Sequence, residues 1–391
     1  MIVYYVILFL IAGLAWPLCI YQPSKPKSIL FLVINFGYLW FLATFRYNIG
    51  FDYWNYIFIS AEIHDAASLS AMAAMPYEYG FFGLTKLIAA ISTNSVFMYG
   101  VYTALVLIPA AVFIYRYCKD IWLSTWLYVT LTFFYTSMNF IRQSLACAIV
   151  LMGYRFLRDK KPIPFFLIAI AASSFHKTAL IMIPMYFLCH IKINKKLAVA
   201  YASLTLIFYI TSAQIIDFVT RFVFTGYRGT IYVDTANGFS PVFLVVPVCV
   251  FAACLALYPA WQKRYAESTL LFNLMMFSVI IWLFITRHFI LERFSMYIYV
   301  FVIIALPQAV SCLKRPQEEY ARRDELAGST EKKTNKDMQN QLRTLTQNIK
   351  DHQKYYAAAV AAVLLITFIY HEFGSQVNGF HGIFPYQSIL S

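Results

Sequence analysis

Charge is what this sequence has little of: 13% of its 391 residues are Asp, Glu, Lys or Arg, while 61% are apolar. Soluble domains run at about 25% charged and roughly 45–50% apolar, so a water-soluble fold is excluded. A mean hydropathy of +0.64 points instead to an all-α, polytopic integral membrane protein. Paired cysteines are missing too. The seven cysteines (Cys19, Cys118, Cys147, Cys189, Cys249, Cys254 and Cys312) show no metal-ligand spacing and nearly all lie inside apolar runs. They read as small core residues, and neither a metal nor another cofactor is expected. The opening MIVYYVILFLIAGLAWPLCI has no basic start and no A-x-A-like cleavage site, so it reads as a first span and not as a removable signal. Internal repeats are absent, as is the pair of matched broken helices in two halves that points to a secondary transporter.

What is abundant is apolar sequence of helical length. Twelve such segments fall at about 3–20, 29–45, 95–115, 121–138, 143–157, 162–175, 178–191, 197–213, 241–258, 268–286, 294–312 and 355–371. Several are short against the roughly 20 residues a span needs. Sorting the connections alternately puts 23 of the 31 Lys and Arg into one set: YQPSKPK, RYCKD, YRFLRDKK, IKINKK, WQKRYAE and residues 313–354. Cytoplasmic connections collect Lys and Arg, so that set is expected inside and both termini outside. The acids divide 10 inside and 8 outside, which places the whole net charge of +13 on the inner face. The charge is therefore a topological signal, and no nucleic-acid partner is expected. Three regions follow: a transmembrane bundle over 1–312, a charged cytoplasmic loop with some helix over 313–354, and a last span with an external tail over 355–391.

The outer face holds the unusual chemistry. Its eight basic residues are Arg46, Lys86, Arg142, Lys177, Arg221, Arg228, Arg287 and Arg293, six of them arginine, against 8 Arg and 15 Lys inside. Sorting by charge accepts either residue, whereas bidentate recognition of phosphate or carboxylate prefers the planar guanidinium. The first external loop starts with FRYNIGFDYWNYIF, in which Arg46, Asn48, Gly50, Asp52 and Tyr53 lie within eight residues. An Arg46–Asp52 ion pair among interfacial aromatics is the plainer reading of the same residues. Farther on, YEYGFFGLTKLIAAI carries Glu78 into an apolar stretch too short to span, expected at the interface or re-entrant. SMNFIRQSLA gathers Asn139, Arg142 and Gln143 between two spans with almost no loop to solvate them. SSFHKT places His176 at an outer mouth, a structural histidine or a group suited to proton transfer or sugar binding. RHFILERF sets Arg287, His288, Glu292 and Arg293 around a tight turn, the Arg and Glu free to pair with each other. The loop over 211–240, with Asp217 and Asp234, names no reaction, and the closing GFHGIFPYQSILS reads as a tail tucked against the outer face.

In order and spacing, FRYNIGFDYWNY, YEYGFFGLTKLI, NFIRQSLA, SSFHKTALIMIP, RFSMY and PYQSIL resemble the EpsG family of bacterial polysaccharide polymerases, related in role to the Wzy O-antigen polymerases. The resemblance runs from Arg46 to Pro385. It implies an enzyme of the bacterial inner membrane that joins undecaprenyl-diphosphate-linked oligosaccharide units on the outer or periplasmic side, alongside a flippase and a chain-length regulator. Matched by motif, Arg46, Gly50, Asp52 and Tyr53 belong to the first block, Arg142 and Gln143 to the second, His176 to the third and Arg293 to the fourth. The usual E-P-G-like sequence appears here as Glu78-Tyr79-Gly80, a departure.

The implied chemistry is a glycosyl transfer without metal. Arg46, Arg142 and Arg293 form the clamp on the leaving diphosphate, and Tyr53, Glu78, Gln143 and Arg287 also take part in binding. Asp52 or His176 accepts the proton of the attacking hydroxyl, with Asp52 favoured because similar lipid-linked glycosyltransferases place an acid in the first external loop. Two rivals stand beside this reading: a flippase for the same lipid-linked sugars, which needs charges along a path at mid-membrane, and a membrane O-acyltransferase using His176.

Overall fold

The computed structural model describes residues 2–66, 75, 77–222, 240–315, 317–330, 336–377, 382–383 and 385–390. Arg228 and Asp234 lie outside the described residues. The chain opens with α1 (Ile2–Ala15), continued by a π turn (Trp16–Ile20) around Pro17, and α2 (Lys25–Thr44), whose first turn is capped by the Ser24 side chain accepting from the Lys27 amide. Two short helices follow, α3 (Tyr53–Asp65) and α4 (Tyr79–Ile91), and then α5 (Ser95–Tyr117), started by Asn94 accepting from the Val96 and Phe97 amides. At 13 residues each, α3 and α4 extend about 20 Å, short of the ~30 Å hydrocarbon core.

The centre of the bundle is made of fragments. α6 (Ile121–Thr130) and α7 (Phe133–Asn139) are parted at Thr132, which holds a left-handed φ of 71°. α8 (Ile141–Met152) gives way to α9 (Tyr154–Arg158) at Gly153, where a Cβ would stand 2.9 Å from Ile168 Cγ2 of α10 (Pro162–Ser173). A 3-10 turn (Lys177–Ile181) runs into α11 (Met182–Leu188). α12 (Lys195–Ile210) bends by 70° into α13 (Ser212–Phe222). α14 (Val242–Arg264) and α15 (Ser268–Ile285) are long and apolar. α16 (Glu292–Tyr299) and α17 (Val302–Ser311) meet at 44°, and every residue of 295–310 is buried. α7 and α17 are buried on nearly every side, a position surrounded by other helices.

Among the described residues, six helices are long and apolar enough to cross a membrane, or up to eight if each bent pair counts as one span. The expected count of twelve is not confirmed by these lengths. Four segments expected as spans, over 121–138, 143–157, 162–175 and 178–191, are broken or half-length because Thr132, Gly153 and the turn over 174–176 interrupt them. From Gln317 the polar sequence is helical where described: α18 (Gln317–Thr330) packs on α19 (Lys336–Val377), a single helix that includes the last expected span. Its 42 residues reach about 63 Å, twice the hydrocarbon thickness, so its polar half extends beyond it. His352 Nδ1 contacts the Leu313 carbonyl at 2.9 Å and the Lys314 ammonium sits 3.9 Å from the Tyr356 ring centre, fixing that half to the bundle.

Candidate functional site

The loop after α2 turns through two left-handed residues, Asn48 (φ 50°) and Gly50 (φ 88°). A Cβ on Gly50 would both strain the turn and stand 3.2 Å from Asn139 Oδ1. The chain's last described residues lie over this turn: Tyr47 N donates to Gln387 O and Gly50 N to Gly382 O at 3.0 Å, and Ile389 N returns a bond to Phe45 O at 3.0 Å. Arg46 is enclosed beneath them at 2% exposure. Its Nη1 bonds the Ala43 carbonyl and its Nη2 the Met138 carbonyl at 3.1 Å, while Tyr99 lies flat under the guanidinium at 4.0 Å. Both carbonyls belong to last turns, those of α2 and α7, where backbone acceptors have no partner in the helix. Arg46 thus ties two helix ends together, and burial holds its pKa below the usual arginine value. Tyr53 is likewise internal, stacked on Tyr99 at 5.0 Å, with the Tyr99 hydroxyl donating to the Tyr53 carbonyl.

Asp52 opens α3 on the other side of the turn. Asn139 Oδ1 accepts its amide at 3.0 Å and Asn55 Nδ2 donates to its carboxylate at 3.1 Å. The far end of α3 is capped by Lys86, whose ammonium bonds the carbonyls of Ile63, His64 and Ala66 at 3.1, 2.7 and 2.8 Å. Between these two anchors lies a cavity of about 350 Å³ lined by Asp52, Asn55, Tyr56, Phe58, Ile59, Glu62, Tyr77 and Arg142.

Arg142 occupies the first turn of α8 and points across to α4. Its Nη1 donates to Glu78 Oε2 at 2.9 Å, and the second Glu78 oxygen accepts the Lys177 amide at 3.4 Å. Gly80 lets this junction close: its amide donates to the Ser174 carbonyl at 2.7 Å, and a Cβ there would fall 2.3 Å from Ser174 Oγ. Arg142 Nε is buried with no hydrogen-bond partner among the described residues. Gln143, one residue on, faces away from the cavity and donates to the Arg293 carbonyl at 2.6 Å. His176 is buried, with Nδ1 2.5 Å from Thr178 Oγ1, which in turn is 3.3 Å from the Tyr297 hydroxyl. Burial, and then the charges of Arg142 and Arg293, push its imidazole down to about 3. Arg142 and Arg293 therefore both lie within electrostatic reach of His176 although the three come from separate stretches of sequence.

Arg287 stands apart. Its Nη1 bonds the Tyr209 carbonyl at the end of α12 and its guanidinium lies 5.0 Å from the Tyr209 ring centre, with His288 beside it on Ser212. Arg221 pairs with Asp217 on the exposed face of α13. The structure thus brings Asp52 and Arg142 to one cavity, sets Glu78, His176 and Arg293 behind it, and turns Arg46, Tyr53, Gln143 and Arg287 to internal contacts. Asn55, Tyr56, Glu62 and Tyr77 line the cavity without having been singled out from the sequence. Their signal was the spacing of the α3 residues, 3, 4 and 10 positions after Asp52. A larger, almost wholly apolar hollow of about 920 Å³ lies between α2 and α5 and reaches Phe45, next to the loop.

The family model described as the EpsG family matches residues 29–320, from α2 into α18. No curated protein and no solved structure matches the chain.

Proposed function

The chain belongs to the EpsG family, and from that premise we propose that it polymerises lipid-linked oligosaccharide units by glycosyl transfer at the Asp52–Arg142 cavity. The cavity would face the outer side of the bacterial cytoplasmic membrane, as the sorting of Lys and Arg favours. Family membership supports a membrane polysaccharide polymerase in general terms. The observation that carries the finer reading is that Arg142, held by Glu78, and the Asp52 carboxylate line one cavity.

In this reading an acceptor hydroxyl attacks the anomeric carbon of a chain carried on undecaprenyl diphosphate. The bond from that carbon to the diphosphate oxygen breaks, the electron pair leaves with the diphosphate, and Asp52 takes the hydroxyl proton. Arg142 faces the growing charge, each charge-assisted hydrogen bond contributing roughly 1.5–3 kcal/mol, and Arg293 adds its positive charge from behind the cavity. Glu78 aims Arg142 through the 2.9 Å contact. His176, buried with its imidazole pushed down to about 3, is a neutral hydrogen-bonding group outside the cavity lining, whereas Asp52 lines the cavity and takes the base role. Arg46 contributes by holding the loop in shape. The apolar hollow beside Phe45 suits the isoprenoid chain of the donor.

Cells lacking the protein test this against the flippase reading. They should still display single repeat units on the outer side of the membrane, because export precedes polymerisation. Accumulation of lipid-linked units on the cytoplasmic leaflet alone would reject polymerisation in favour of transport.

A further inference from the structure

Asp52, Asn55, Tyr56, Ile59 and Glu62 stand at i, i+3, i+4, i+7 and i+10, a spacing that lays them along one face of α3, and all five line the same cavity. The stripe runs for about 15 Å at 1.5 Å per residue. The helix is held against its neighbours through Tyr53, Tyr56 and Ile63, which are buried among residues of α4 and α5. Both ends are fixed, by Asn139 at Asp52 and by Lys86 at the last carbonyls. A short helix pinned at both ends and polar along the side that faces a cavity is a rigid surface for an elongated ligand.

The two ends of the stripe differ. At the Asp52 end the carboxylate accepts from Asn55 Nδ2 at 3.1 Å. At the far end Glu62 Oε2 accepts the Tyr77 hydroxyl at 3.0 Å, and the Tyr77 ring stands 5.9 Å from the Arg142 guanidinium on the cavity wall. A carboxylate has about four acceptor positions, so the bond to Tyr77 leaves capacity for vicinal hydroxyls. Tyr77 and the exposed Phe58 offer aromatic faces on which the apolar face of a sugar ring can rest. Carboxylate and amide acceptors alternating with aromatic faces over 15 Å or so match a carbohydrate of more than one residue, not a single sugar and not a lipid chain.

We propose that the α3 stripe is the binding rail for the incoming repeat unit, with its terminal sugar at Asp52 and an inner sugar held by Glu62 and Tyr77, which select the unit. The proposal rests on the polymerase reading and adds to it a remote specificity subsite. Glu62→Gln keeps shape and removes the charged acceptor; Tyr77→Phe keeps the ring and removes the hydroxyl that orients Glu62.

The test uses the full chain in lipid vesicles with lipid-linked repeat unit extracted from cells that lack the protein, at matched amounts of protein and matched melting temperature. Each variant should raise KM for the unit about tenfold while kcat falls by much less, and high concentrations of unit should restore long products. Asp52→Asn should lose kcat and not respond to added unit. Unchanged KM in both Glu62→Gln and Tyr77→Phe, or a loss confined to kcat, overturns the rail and leaves the polymerase reading intact. Absence of any polymer from the wild-type vesicles rejects the polymerase reading itself.

Discussion

Replacing His176 by glutamine converts its buried position into a measurable pH dependence. Burial and the Arg142 and Arg293 charges lower the imidazole from its ordinary 6.5 to about 3. Below pH 6.5 the unfolded chain therefore takes up a proton that the folded chain refuses until about pH 3. The stability that the neutral ring contributes is fully present above 6.5 and is lost as the pH falls toward 3, at about 1.4 kcal/mol per pH unit. Between pH 8 and pH 5 the loss is about 2 kcal/mol. Glutamine keeps a polar group opposite Thr178 and does not titrate. Equilibrium unfolding of the purified protein in detergent at the two pH values, for wild type and His176→Gln, isolates this contribution because every other group cancels in the comparison. Wild type should lose about 2 kcal/mol more than the variant on acidification. An equal loss in both proteins would mean that the imidazole is neither as buried nor as close to two guanidinium groups as the structure has it, and the packing of Arg142 and Arg293 around it would have to be abandoned.

Arg46→Lys keeps the charge and removes the planar fork, so it loses at least one of the Ala43 and Met138 carbonyl contacts. Leaving a buried acceptor unpaired costs roughly 1–3 kcal/mol. Thermal melting in detergent should fall accordingly and residues 385–390, which lie across Arg46, should become more open to protease; unchanged melting together with a resistant tail would refute that role. Sidedness is checked with single cysteines in a background lacking the seven native ones. A cysteine replacing the exposed Asp65 should react with an impermeant thiol reagent on intact cells, and one replacing Lys350 only after lysis. Labelling of the Lys350 site from outside would reverse the orientation.

The long spans were legible because a run of about 18 or more apolar residues has no alternative in water. The short helices were legible only as apolar stretches, since nothing in LTFFYT announces that Thr132 will adopt φ 71° and divide α6 from α7. Gly153 is a comparable break, made by the approach of Ile168 from another helix, a contact no local pattern records. The helical course of 336–354 was hidden for the opposite reason: lipid marks a span by its apolarity, while a polar helix leaves no mark of that kind and reads as loop. Its packing on α18 and Leu313 is tertiary.

For the site, the residue types were legible and their division of labour was not. Arg46 and Arg142 both stand beside apolar runs at the same face and look alike in sequence. What separates them is which end of a helix each one meets. Arg46 follows the C-terminus of α2, where carbonyls lack partners, and such acceptors claim a guanidinium before any ligand can; Met138, 92 residues away, completes the capture. Arg287 is claimed in the same way by the Tyr209 carbonyl at the end of α12. Arg142 and Arg293 instead occupy the first turns of α8 and α16, where the unpartnered backbone groups are N–H donors and offer a guanidinium nothing. An arginine in that position is held by side chains, as Glu78 holds Arg142, and it adds its charge to the positive end of the helix dipole. Arg142, one of the two arginines whose charge acts on His176, is held by Glu78 and not by a carbonyl at a helix end, which is why the proposed reading gives the anionic diphosphate to Arg142 and the loop's shape to Arg46.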